Sequence, residues 1–246
     1  MSVNVNPSKK PAKILIIASN PITSEKTGWP VGFWWEEVTD PYFTFSKVGY
    51  AVDIASPQGG ELKGDAWSDP RDESQYSVHD LVSMGFIHTP SLMAKVEDST
   101  PLGSVNPDDY DAILLAGGQG PMYTFFNDET LHKFVADFYE TGKPTAVVCH
   151  ATAILLKTKT SNGELLVKGK TWTGFANSEE DYADNYVGQA IQPFRIEDEA
   201  KRLTYTNFIV QPAFSAHAFR DSNLITGQQQ YSGGAAAELV IESLGR

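Results

Sequence analysis

Blocks of aliphatic residues recur along the chain, separated by stretches whose apolar positions follow a helical period. Lys13 to Ala18 is a nearly uninterrupted aliphatic run of the kind found in a parallel strand covered on both faces. Between Gly32 and Val48 the set Phe33, Trp34, Glu37, Val38, Pro41, Phe45, Val48 has helical spacing, with Gly49 as the stop and Pro41 predicting a break or kink. Tyr50 to Ala55 is a second buried strand, so strand, helix and strand make one right-handed crossover unit. Tyr110 to Ala116 predicts a third strand, turned tightly by Gly117-Gly118-Gln119-Gly120, and Asp128 to Thr141 an amphipathic helix on Leu131, Phe134, Val135 and Phe138 with Asn127 as its N-cap.

Later segments repeat the alternation. Leu165 to Phe175 reads as strand with a turn at Lys168-Gly-Lys170, Ser178 opens a capped helix, Leu224 to Thr226 is a short strand, and Ser232 to Leu244 is an Ala-rich terminal helix. The fold class is therefore α/β: a doubly wound, mostly parallel, flavodoxin-like sheet with helices on both faces and ligands beyond the carboxyl ends of its strands. Residues 1–12 read as a flexible tail and 13–246 as a single domain. Residues 61–109 lack a clear period and carry four prolines, the mark of a lid-like insertion.

Charge narrows the partners. The 246 residues carry a formal net charge of −12 and no Lys/Arg run longer than Lys9-Lys10, which disfavours nucleic acid and anionic membranes. The single cysteine forms no intrachain disulfide, and the first aliphatic run is too short for a signal segment or a membrane span, so a cytoplasmic setting is expected. The five histidines show no metal-ligand spacing, and no Gly-x-Gly-x-x-Gly follows a strand, so neither a metal nor an organic cofactor is expected. Gly163 to Thr171 imitates a phosphate loop but has one residue too many between its glycines. His132 reads as a surface residue.

The stretch that carries chemistry is Pro144 to Leu156. Its β-branched run ends at Cys149-His150, and an Ala/Ile/Leu series of helical propensity follows. Cys149 thus sits on a nucleophile elbow between strand and helix, where a helix N-terminus is expected to lower the pKa of a thiol. Glu37 shares a helix face with Phe33, Trp34 and Pro41, so its carboxyl should titrate high and hold or take a proton near neutrality. Glu36 reads as solvent-side charge.

Glu37 four residues before Pro41, Ala-Ser-Pro-x-Gly-Gly at 55–60, Gly-Gly-x-Gly at 117–120, Val-Cys-His at 148–150 and Thr-Gly-Phe at 173–175 together resemble the DJ-1/PfpI superfamily, and within it the Hsp31-like branch. The resemblance implies Cys149 as nucleophile, His150 beside it, Glu180 as the acid that orients the histidine (with Glu179 as the other choice), and Glu37 as general acid/base. It further implies an oxyanion hole from the backbone N–H groups of Gly118 and His150, a small-molecule substrate and a homodimer. The implied activity is glutathione-independent conversion of small 2-oxoaldehydes, such as methylglyoxal, to 2-hydroxy acids. Rival readings are hydration or hydrolysis of another small electrophile, or a stress-response holdase or redox sensor. Gln119 and Ala151-Thr152 depart from the branch's usual Gly-Gly-His-Gly and Cys-His-Gly-Pro, so the pocket wall differs where substrate is chosen.

Overall fold

A computed structural model describes residues 11–245; the tail expected over 1–12 lies almost wholly outside them. In chain order the elements are β1 (Lys13–Ile17), a short pair β2 (Ile22–Thr23) and β3 (Pro30–Val31), α1 (Trp35–Lys47), β4 (Ala51–Ser56), α2 (Leu81–Ile87), α3 (Pro90–Glu97), β5 (Thr100–Pro101) and β6 (Ala112–Leu115). They continue with α4 (Glu129–Glu140), β7 (Thr145–Val148), β8 (Thr171–Trp172), α5 (Asn177–Val187), α6 (Ile196–Arg202), β9 (Asn207–Phe208), β10 (Ala218–Asp221), β11 (Leu224–Gly227) and α7 (Gly233–Ser243).

Seven strands form the central sheet in the order β10-β11-β7-β6-β1-β4-β5. Every neighbouring pair is parallel except β10 with β11 at one edge. β1, β6 and β7 are buried almost end to end, which is why their sequences are aliphatic without alternation. Because β1, β4, β6 and β7 run the same way, the loops leaving Ile17, Ser56, Leu115 and Val148 gather along one edge of the sheet. The mostly parallel, doubly wound class is the one expected from the sequence.

Several local expectations are corrected. The first helix begins at Trp35, not Gly32, and runs through Pro41 unbroken. Pro41 leaves the Glu37 carbonyl without its i+4 donor, but it packs where Gly233 of α7 brings the backbone close, and that packing holds the helix together. The cap of α4 is Asp128, which accepts from the N–H groups of Thr130 and Leu131, not Asn127. Of the expected strand over 165–175, Thr171–Trp172 pairs with β9 and Leu165 makes an isolated antiparallel bridge with Lys159, while the Leu165–Gly169 segment between them turns back. His132 is buried, with its ring nitrogens 2.9 Å from Thr158 Oγ1 and 3.3 Å from the Phe126 carbonyl, because α4 turns that face toward the 149–156 segment. The region 61–109 contains α2, α3 and then β5, which adds a strand to the sheet beside β4.

Candidate active site

At the end of β7 the chain turns so sharply that Cys149 adopts φ of +57°, a left-handed conformation that disfavours a residue with a Cβ. A single 3-10 helix, Cys149–Leu156, follows in place of the expected α-helix. The Thr152 hydroxyl donates to the Cys149 carbonyl at 2.6 Å and ties the turn down. A side chain on Gly174 would come within 2.1 Å of that hydroxyl, so the glycine of Thr-Gly-Phe leaves room for the threonine. Thr152, a departure from the branch pattern, thus has a structural part in the elbow.

Glu37 sits in the first turn of α1, fully buried. Its Oε2 accepts the Gly117 N–H at 2.7 Å, while the buried Oε1 has no well-formed hydrogen bond and the carboxyl lies against the Cys149 thiol. Burial drives the Glu37 pKa up to about 7, opposed by the thiol, the Gly117 N–H and the His150 ring. The thiol itself is pushed well above its ordinary value, by burial first and then by the neighbouring Glu37 charge. The N–H groups of Gly118 and His150 face the sulfur and pull the other way, without prevailing. The expected lowering of the thiol pKa is therefore reversed: a carboxylate next to a dry sulfur outweighs two peptide dipoles.

The His150 ring extends the site outward. Its Nδ1 lies 3.4 Å from Cys149 Sγ and its Nε2 3.1 Å from Glu180 Oε1. Phe175 stacks on the imidazole with centroids 4.0 Å apart and fixes its plane. Glu179 faces elsewhere: it accepts N–H bonds from Ala176 and Phe214 and the Gln228 amide, so it joins α5 to two loops and does not touch the histidine. Glu36 is half-buried rather than solvent-side, and burial with the nearby Asp80 and Asp40 raises its pKa to about 8.

Asp65 is the residue that sequence reasoning missed. Buried in the 61–109 region, it accepts the Gly32 N–H at 2.8 Å and the Gln119 N–H at 2.7 Å. The Trp34 N–H donates to the Gly117 carbonyl and the Gly120 N–H to that of Gly32, so three loops are laced around Gly118. Gly118 has φ of +103°, and a Cβ there would lie 2.5 Å from the Phe33 and Trp34 backbone. A Cβ on Gly117 would lie 2.8 Å from both Cys149 Cβ and Glu37 Oε2, which measures how closely thiol and carboxyl are packed. No periodicity marks Asp65; a lone aspartate in an aperiodic acid-rich stretch carries no signal of burial.

A pocket opens over the sulfur, lined by Trp34, Trp67, Tyr76, Phe175, Tyr182, Tyr186 and Phe214 together with Gln119, Gln192 and Gln230. Among the described residues no three His, Cys, Asp or Glu side chains are grouped to hold a metal ion. No described helix is long and apolar enough to cross a membrane.

The DJ-1/PfpI family model matches residues 32–242. The probable glutathione-independent glyoxalase hsp3103 of Schizosaccharomyces pombe is 31% identical over a match covering 61% of this chain and 59% of that protein. The glutathione-independent glyoxalase HSP31 of Saccharomyces cerevisiae is 27% identical across 88% of this chain and 91% of its own. The Rapid Encystment Protein 24 KDa of Francisella tularensis superposes with a TM-score of 0.83 at 28% identity, covering 96% of this chain and all of that one. The parallel sheet, the cysteine on its left-handed turn and these similarities lead to one assignment: the chain belongs to the DJ-1/PfpI family, in its Hsp31-like branch.

Proposed function

We propose that this protein is a cysteine-dependent, glutathione-independent glyoxalase-type enzyme that converts a 2-oxoaldehyde to a 2-hydroxy acid. The observation that carries this reading is the buried pair of Glu37 and Cys149: a carboxyl titrating near 7 against a thiol that keeps its proton until something takes it. The names of the fission and budding yeast relatives support the same reaction.

As Sγ bonds to the aldehyde carbon, the thiol proton passes to Glu37 and the carbonyl oxygen becomes an oxyanion facing the N–H groups of Gly118 and His150. Glu37 returns that proton to the oxyanion, giving a neutral hemithioacetal. It then takes the hydrogen of the former aldehyde carbon as a proton. The electron pair left behind forms the carbon–carbon double bond, the ketone π electrons move onto oxygen, and that oxygen takes the proton from Glu37 to complete the enediol. The hydroxyl on the sulfur-bearing carbon then gives its proton to Glu37 as that carbon becomes a carbonyl, and Glu37 delivers it to the neighbouring carbon. This yields a 2-hydroxy thioester, an isomer of the hemithioacetal, so no outside oxidant or reductant enters. Water, activated by His150 with Glu180 orienting the ring, releases the 2-hydroxy acid and restores the thiol. The protonated, buried thiol favours turnover over a redox sensor, which works through an exposed thiolate.

Lactate formation from methylglyoxal without glutathione tests the proposal. Wild type should turn over, Cys149→Ser should lose at least ~10³-fold and Glu37→Gln ~10²–10⁴-fold. An inactive wild type, or a Cys149→Ser variant that keeps its rate, defeats the reading. A homodimer belongs to the same proposal, and a solution mass near twice the 27.0 kDa of the chain checks it. So does a reducing, cytoplasmic setting, which would keep the lone thiol available.

A further inference from the structure

The sulfur is reached through a channel walled by aromatic rings that the chemistry at Cys149 does not require. Trp34 meets Tyr76 edge-on with centroids 6.0 Å apart. Tyr76 stacks on Trp67 at 6.1 Å, and Trp67 meets Tyr186 edge-on at 5.5 Å. Tyr182 and Phe214 form a further pair at 5.1 Å. All six rings line the same pocket as Cys149. Tyr182 is 54% and Tyr186 68% exposed, so large ring faces stand open to water at the pocket wall, where clustered apolar surface marks a binding surface. Methylglyoxal has a single methyl group to set against them.

Charge and hydrogen bonding restrict the occupant further. Among the described residues no lysine or arginine lines the pocket. Its two carboxylates are engaged, Glu180 with His150 and Glu179 with three donors. A carboxylate or phosphate on the substrate would find no cation, and an ammonium no free carboxylate. Gln192, 8% exposed, lines the wall with its Oε1 buried and without a partner. Such an acceptor destabilises the empty site until a donor meets it.

We propose that the group attached to the ketone carbon of the substrate is an uncharged aromatic ring bearing a hydrogen-bond donor, seated among Trp34, Trp67, Tyr76 and Tyr186 with its donor on Gln192. The inference rests on the glyoxalase-type reading and names the substrate class for that same site.

The test measures kcat/KM for 4-hydroxyphenylglyoxal, phenylglyoxal and methylglyoxal with wild type, Trp67→Ala, Tyr186→Ala and Gln192→Leu. Wild type should favour both aryl substrates over methylglyoxal by at least about tenfold, with the hydroxylated one ahead. Trp67→Ala should lower the phenylglyoxal-to-methylglyoxal ratio about tenfold and the exposed Tyr186→Ala about threefold. Gln192→Leu should bring the hydroxyphenyl-to-phenyl ratio to about one, because an apolar wall strands the hydroxyl. A wild type indifferent to the ring, or ratios untouched by the ring deletions, overturns the inference.

Binding of acetophenone and 4-hydroxyacetophenone to Cys149→Ser, read by tryptophan fluorescence, separates this inference from the reaction it rests on, since neither ketone carries the reacting aldehyde. Ketone binding that Trp67→Ala weakens, with no aldehyde turned over by wild type, would defeat the glyoxalase reading and leave the aromatic site. Methylglyoxal turnover with no ketone binding and no aryl preference would defeat the aromatic site alone, and failure of both measurements would defeat both.

Discussion

The floor and the wall of the pocket are built to different tolerances. The floor, where Glu37, Gly117, Gly118 and Cys149 meet, leaves no room for an added methyl group at either glycine, and most of its contacts run through backbone. The wall is made of whole rings meeting edge to face or stacked, two of them more than half exposed. Backbone contacts fix atoms to a fraction of an ångström, which proton transfer between a thiol and a carboxyl demands. Side-chain contacts can be exchanged one at a time, which suits the choice of what enters.

The sharpest way to break that contrast is Gly118→Ala. A Cβ 2.5 Å from backbone atoms at φ of +103° should destabilise the fold by roughly 3 kcal/mol and abolish turnover, read by urea unfolding and by rate. No single change in the wall should unfold the protein.

A smaller effect separates the neighbouring acids. Glu180→Gln should lower kcat by ~10–100-fold with little change in unfolding midpoint, because only its bond to His150 is weakened. Glu179→Gln should do the reverse, costing about 1–3 kcal/mol of stability as three donors lose their anionic acceptor. Equal effects from the two would erase the distinction drawn from their contacts.

The smallest effect concerns pH. The pKa of Glu37 is raised from 4.5 to about 7 in the folded protein, so the folded state holds the proton more tightly than the unfolded chain does. Its penalty on stability is absent below 4.5, grows as pH rises, and is complete above about 7. Glu37→Gln should therefore be more stable than wild type at pH 8, on the order of 1 kcal/mol, with the gain vanishing near pH 4. Over the same range wild-type kcat/KM should rise with an inflection near 7 as the carboxylate forms, and thermal melts beside pH–rate profiles check both.

The sheet was legible because aliphatic runs without alternation have few homes other than a strand buried on both faces. Cys149 and Glu37 could be singled out from local patterns, a junction of strand and turn and a carboxylate on an apolar helix face, whereas His150 and Glu180 followed only from the family resemblance. Glu179 and Glu180 could not be separated by spacing, since side-chain direction at a helix start depends on the loops packed against it, here the one ending at Phe214. Asp65 and Gln192 had no local signature, as their importance arises only when distant loops close over them. The thiol pKa was misjudged because a helix dipole can be read from one segment, whereas burial beside Glu37 is a property of two segments 112 positions apart.

The left-handed backbone at Cys149 also bears on how such a chain can change over generations. Glycine at that position would relieve the strain, by about 1–2 kcal/mol, and leave the elbow's geometry intact. A duplicated copy released from catalysis would thus find greater stability one substitution away, and drift would carry it there. By stability alone, cysteine is the costlier residue at that turn.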